Sequence, residues 1–147
     1  MRRWLYAAGT LLVLSTTSCG GGGYGPTEQE IKDSLEATLR SVEGDWLGVS
    51  TEPNVLRLDF NLKETGSGQV SGAGTAREGN QPPVPITVTG TFHRPVLTLV
   101  FHGIVFETRQ VTGTAQGSYT TVGGIATTLS LTAPAYQREV PVLLQEK

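Results

Sequence analysis

The spacing of apolar residues changes near the end of the first third of this chain. From Thr27 to Val42 it is helical, with Ile31, Leu35, Leu39 and Val42 on one face. Thr27 followed by Glu30 forms a capping box. Glu28 and Glu30 lie in the first turn and Arg40 in the last, as the helix dipole favours, and Gly44 is a natural stop. The pattern predicts an amphipathic helix at 28–42 whose apolar stripe docks on the rest of the domain.

From Asp45 onward the period is two. In "VLRLDFNLK", Leu56, Leu58, Phe60 and Leu62 point one way and Arg57, Asp59, Asn61 and Lys63 the other, which predicts a half-buried antiparallel strand. "ETGSG" turns the chain, and "QVSGAGTA" sends Val70, Gly72, Gly74 and Ala76 to one face. After the loop "EGNQPPVP", the strand "ITVTGTFH" alternates Ile86, Val88, Gly90 and Phe92 with threonines. "RP" is a tight turn, and "VLTLVF" returns with Leu97, Leu99 and Phe101 in phase. "GIVFETRQVTGTAQGSY" reads as one bent strand or two, because no turn signal separates its halves. "TTVGG" turns the chain again, and "IATTLSLT" runs to Pro134 with Ile125, Thr127, Leu129 and Leu131 in phase. Beyond it, 135–147 reads as a weakly patterned tail in which "VPVLL" could lie along an edge.

One unit recurs. Val70-Ser71-Gly72-Ala73, Val88-Thr89-Gly90-Thr91 and Val111-Thr112-Gly113-Thr114 each place a glycine two residues after a valine, on the apolar face. A glycine there weakens a strand but lets a sheet bend and coil. The fold expected is mainly β: an antiparallel meander of seven or eight strands closing into a small up-and-down barrel, preceded by one helix. The alternative is a β-sandwich.

The N-terminus follows another logic. Arg2 and Arg3 precede the uncharged stretch Trp4–Leu14, and the small residues Ser15–Ser18 lead to Cys19, the only cysteine. That is the order of a secretory signal, and the stretch is too short to span a bilayer comfortably. With the cysteine at the expected cut, the segment resembles bacterial lipoprotein precursors, although Thr16 stands where that family usually carries Leu. The resemblance implies that residues 1–18 are removed and that Cys19 is lipidated and becomes the first residue of the mature chain. Lipidation would also remove a thiol that is a liability in an oxidising compartment. Gly20–Gly23, Tyr24, Gly25 and Pro26 then read as a flexible tether over 19–26, and the folded domain as 27–134. Gly20 stands where an Asp signals inner-membrane retention in well-studied lipoproteins, which points to the outer membrane, facing the periplasm.

The chain carries a formal net charge of −2, and loss of Arg2 and Arg3 makes it two units more negative. That leaves no net excess of basic charge to hold a phosphate backbone, which argues against nucleic acid as a partner. A lipidated Cys19 leaves no disulfide, so stability must come from a hydrophobic core.

Gly44-Asp45-Trp46 opens the first strand. Followed by a meander of short strands, it resembles the calycin barrels, lipocalins and avidins, whose first strand begins Gly-x-Trp. The resemblance implies a closed barrel. The Arg that packs on this Trp in lipocalins has no counterpart in "IATTLSLT", and Arg138 lies beyond Pro134.

Catalytic chemistry is hard to place. No serine lies in a Gly-x-Ser-x-Gly elbow, and no glycine-rich stretch continues into Lys and a helix. His93 and His102 flank one strand and lie roughly 20 Å apart at ~3.3 Å per residue, too far to share a metal. Asp59 and Glu107 read as solvated, and Glu52 and Glu64 as turn residues. The expectation is a non-enzymatic envelope lipoprotein without cofactor or metal, held to the membrane by lipid. Its barrel would bind a small apolar ligand along Trp46, Leu58, Phe60, Val88, Phe92, Leu99, Phe101 and Leu129. Alternatively the barrel is solid and contacts another envelope protein in a structural or assembly role.

Overall fold

The period-two stretches become eight strands: β1 (Gly44–Ser50), β2 (Leu56–Glu64), β3 (Gln69–Glu78), β4 (Val84–His93), β5 (Val96–Phe106), β6 (Arg109–Ser118), β7 (Gly124–Ala133) and β8 (Tyr136–Glu146). The structure, a computed structural model, describes residues 25–31, 41–53, 55–119 and 124–147. Each strand pairs antiparallel with the next, and β1 pairs with β8, from Trp46 opposite Glu146 to Ser50 opposite Val142. The result is a closed up-and-down barrel, which removes every sheet edge and excludes the sandwich.

The interior is the in-phase apolar set. Leu56, Leu58, Phe60 and Leu62 of β2 alternate with outward residues, and the same holds for Leu97, Leu99 and Phe101 of β5. The recurring valine–glycine units explain how so many large side chains fit. Two of them pair with each other: Val70 stands opposite Gly90, and Gly72 opposite Val88. Around the ladders, Gly74 faces Phe60, Gly90 faces Leu99, Gly113 faces Phe101 and Gly117 faces Leu97. A missing side chain on one strand thus makes room for a large one on its neighbour, as small barrels require.

Three expectations need correction, and one alternative left open by the sequence is settled. The predicted loop "EGNQPPVP" is shorter, because β4 already starts at Val84. "GIVFETRQVTGTAQGSY" is two strands: Gly103–Phe106 finish β5, and the hairpin turns at Glu107 and Thr108, both with positive φ (49° and 64°). Two left-handed residues fit the twist of a two-residue hairpin, but they are not the Gly or Asn that would advertise one. The tail from 135 to 147 is in fact β8, with Val140, Val142 and Leu144 buried inside; Pro141 and the charged Arg138 and Glu139 hide the alternation. The domain therefore continues through Glu146 rather than ending at 134. Finally, the helix predicted at 28–42 is helical at 28–31, but Ser41 and Val42 are not; 32–40, with Leu35 and Leu39, lies outside the described residues.

The capping box is present: the Thr27 N–H donates to the Glu30 carboxylate at 2.7 Å, and the Glu30 N–H to the Thr27 hydroxyl at 3.2 Å. Ile31 is 54 % exposed, so that position of the stripe is not docked. The segment expected to be a signal, Cys19 and residues 120–123, including most of "TTVGG", which is expected to turn the chain, lie outside the described residues.

Candidate functional site: a rim cleft where β4 and β5 part

The eight residues expected to line a ligand site all lie inside the barrel and meet there. Phe60 and Phe101 pack edge to face with centroids 5.2 Å apart. Trp46, Leu58, Phe101 and Leu129 are 0 % exposed, Val88 and Leu99 1 %, Phe92 2 % and Phe60 4 %. A void able to hold a ligand would leave its lining accessible to a water-sized probe, and these residues have almost no such surface. The space beside the inward glycines is taken as well. A Cβ on Gly48 would meet Leu144 Cδ2 at 2.9 Å, and one on Gly113 would meet Ile104 Cδ1 at 2.9 Å and Leu129 Cδ1 at 3.0 Å.

The two ends are closed by different means. At one end, Val42 is fully buried beneath Trp46, whose indole Nε1–H donates to the Val42 carbonyl at 2.9 Å. Tyr119 packs between Trp46 and Phe92, with centroids 5.7 and 6.0 Å away. Glu64 secures this floor: it accepts from Arg94 at 3.0 Å, from the Ser41 hydroxyl at 2.7 Å and from the Val42 N–H at 3.3 Å. Trp46 is therefore a floor residue of the closed eight-stranded barrel.

At the opposite end, Phe106 is buried under Arg138, whose guanidinium lies 5.1 Å from the ring centroid. Arg138 does not reach Trp46; it pairs with Glu107 and stands 4.0 Å from Glu52. The Tyr136 hydroxyl donates to Glu107 at 3.2 Å, and Arg109 stacks 5.0 Å from the Tyr136 ring. Burial, followed by the Glu107 carboxylate, raises the Tyr136 phenol above its ordinary value.

Beside this second end the wall opens. The β4–β5 ladder runs from His93 opposite Val96 to Thr87 opposite His102 and then stops. The β5–β6 register shifts between Phe101 and Ile104, and Gly103 takes φ 90°. The bulge breaks the ladder although Gly103 still lies against the Pro85 carbonyl, and no ladder pair joins Val84–Ile86 to Gly103–Phe106 among the described residues. The gap is an open cleft of about 580 Å³, bounded by Ala76, Val84 and Val105, by Glu78 and Glu107, and by the 79–82 loop. Val105 points outward and is 38 % exposed. Glu78 accepts the Glu107 N–H at 2.9 Å through Oε2, and its Oε1 has no partner among the described residues.

Of these cleft residues the sequence singled out only Ala76, as an inward position, and Glu107, as a solvated carboxylate; neither was read as part of a site. The available signals were Gly103 inside a strand, which marks a bulge, and the proline-rich stretch before β4. The other chemical candidates stay apart. His102 lies on the outer wall with Nε2 3.5 Å from the Thr89 hydroxyl, and His93 ends β4 at the Trp46 end. Among the described residues no three His, Cys, Asp or Glu side chains converge as metal ligands. Asp59 is held below the ordinary carboxylate range by Arg57 first and Lys147 second. Comparison with protein-family models, curated proteins and solved structures finds no match to this chain.

Proposed function

We propose that this protein is a non-catalytic lipoprotein of the cell envelope, anchored through lipid on Cys19, whose solid barrel contacts another envelope protein through the rim cleft. The observation that carries this reading is the packing of the interior: the residues that would line a ligand cavity are 0–4 % exposed. With no room inside, recognition falls to the surface. The cleft supplies it with apolar walls at Val84 and Val105, strand backbone without a ladder partner, and a carboxylate oxygen to accept a hydrogen bond.

Anchoring rests on the order of the N-terminal residues, positive, apolar, small and then cysteine. Ser41 and Val42 enter the barrel at the Trp46 end. An anchor on Cys19 would pull from that end, leaving the Phe106 end and the cleft turned away from the membrane.

A second reading has its own support. The cleft volume lies within the range of small-molecule sites, so a small apolar ligand could sit at the rim.

Two measurements test the proposal. Radiolabelled fatty acid should enter the wild-type precursor and not Cys19→Ser; equal label in both would end the lipoprotein reading. A photo-crosslinking residue at Val105 should give a discrete protein adduct in cells that the same residue at Thr89, on the outer wall, does not. Equal adducts at both positions would refute the cleft as the contact. A small molecule retained in native mass spectrometry would favour the second reading.

A further inference from the structure

The outer wall carries a second feature, independent of the rim cleft. Arg57 and Arg77 are direct cross-strand partners on β2 and β3, both facing solvent. Like charges placed directly opposite each other destabilise a sheet. Arg57 is partly relieved, since its Nε donates to Asp59 Oδ2 at 2.8 Å. The Arg77 side chain makes no hydrogen bond or ion pair among the described residues. Asp59 is itself engaged twice, because its Oδ1 lies 2.7 Å from Lys147 Nζ. Three cations against one carboxylate leave the spot doubly positive, in a chain whose formal charge is negative.

The two guanidinium groups border a notch of about 360 Å³ that also takes in Asp59, Thr75 and Pro83. The Arg57 Nη groups, the whole Arg77 fork and the Thr75 hydroxyl are donors. The only acceptor charge in the notch belongs to Asp59, already neutralised from two sides. We propose that this notch is a phosphate-binding site, in which a phosphomonoester dianion bridges Arg57 and Arg77. The planar fork of arginine suits two-point contact with phosphate oxygens, and a dianion matches the local excess of charge. Binding would turn the opposed pair from a cost into a clamp across the β2–β3 ladder.

The test uses the purified protein and inorganic phosphate, with chloride at matched ionic strength as reference. Phosphate should raise the melting temperature along a saturating curve. Arg77→Gln should weaken phosphate binding about tenfold or more, as expected for loss of charge-assisted hydrogen bonds. In chloride the same variant should melt no lower than wild type, because it relieves a like-charge pair; this also shows that it folds. Lys63→Gln, which removes a positive charge elsewhere on β2, should keep the phosphate response. A wild type indifferent to phosphate overturns the proposal, as does an unchanged response in Arg77→Gln. So does equal loss in Lys63→Gln, which would mean diffuse attraction. Sedimentation with phosphatidylcholine vesicles containing phosphatidic acid then separates the sources. Arg77-dependent binding identifies a lipid headgroup, and a phosphate response without vesicle binding identifies a soluble phosphate.

Discussion

Replacing Gly90 with alanine should cost this barrel more than any change on the outer face of the same strand. An ideal Cβ at Gly90 would stand 2.0 Å from the Thr98 carbonyl oxygen, 3.0 Å from its carbon and 3.1 Å from Leu99 Cα. All three are backbone atoms of β5, so no rotamer change relieves the contact. The oxygen is about 1 Å inside the closest approach that real Cβ atoms make. Moving β5 that far stretches the ladder bonds on either side of Gly90. Losing two of them costs about 2 kcal/mol and overpacking a further 1–3 kcal/mol, so about 3–5 kcal/mol in all. Glycine to alanine normally gains a few tenths to 1 kcal/mol by stiffening the unfolded chain, so a loss has the opposite sign to the default. Gly113 is the internal control. There a Cβ would meet the Ile104 and Leu129 methyls, which are side-chain ends able to shift, and Gly113→Ala should cost about 1 kcal/mol. Thr89→Val, on the exposed face, should stay within about 0.5 kcal/mol of wild type. Urea midpoints read the order directly, and at ~2 kcal/mol per molar a 4 kcal/mol loss moves the midpoint by about 2 M. If Gly90→Ala unfolds at the same urea concentration as Gly113→Ala, the close approach of β4 and β5 is not what glycine serves here.

The remaining predictions concern the barrel floor, the wall and the rim. Val42→Asp places a charge in a fully buried site under Trp46 and should cost about 3 kcal/mol, with a red shift of Trp46 emission in the mature protein; unchanged emission would mean Val42 is no plug. Asp59 has a depressed pKa in the folded state, so its contribution is present above about pH 4, the unfolded value, and fades as pH falls through the lower folded value. Asp59→Asn should therefore lower stability by about 0.5 kcal/mol at pH 7, the size of an exposed ion pair, and by nothing near the acid limit; a gap independent of pH would contradict this. Thr108→Gly should raise the thermal midpoint, with a gain of about 1 kcal/mol from relieving a β-branched residue at φ 64°; a loss would show that the Thr108 hydroxyl bond to the Glu107 carbonyl matters more.

The sequence made the barrel wall legible wherever one face is buried and the other polar. β2 is the clearest case, because every alternate residue from Leu56 to Leu62 is a large apolar one. The pattern is weaker in β8, where Val140, Val142 and Leu144 alternate around a proline and follow two charged residues, and a strand reads as a tail. Closure itself depended on that strand, since β1 has no second partner without it. The Glu107–Thr108 turn left no signal because its left-handed residues are held by tertiary contacts. The Glu107 N–H is fixed by Glu78, and its carboxylate by Arg138 and Tyr136, from strands β3 and β8. Periodicity sees one segment at a time, and these partners lie 29 or more positions away in sequence. The interior site was legible as a set of residues but not as a volume. Phase tells which side chains point inward, whereas whether they fill the space depends on the pairing of glycine with a large neighbour across each ladder.

That pairing bears on where function can lie. If the inward glycines were present to leave a cavity, their neighbours would stand back from them. Instead Leu144 and Leu58 crowd Gly48, and Ile104, Leu129 and Leu131 crowd Gly113. Departures from ideal β geometry occur at more than one place, since β6 and β7 share only three ladder pairs among the described residues and Ala135 also has a positive φ, but several of them meet at the cleft. Val84, beyond the end of the halted β4–β5 ladder, two non-glycine residues at positive φ and a Glu78 carboxylate oxygen without a partner among the described residues border the same cleft, and the Gly103 bulge lies two residues before Val105. Left-handed non-glycine residues cost of order 1 kcal/mol each and persist only where surrounding contacts hold them. Glycine at 108 would relieve one, and continued pairing of Val84–Ile86 with Gly103–Phe106 would close the gap. The opposite end shows that this chain can seal a barrel with Val42, Trp46 and Tyr119, all buried. Its openness beside Phe106 is therefore a local property of the 78–85 and 103–108 segments rather than a limit of the fold, and this is the physical ground for placing recognition there.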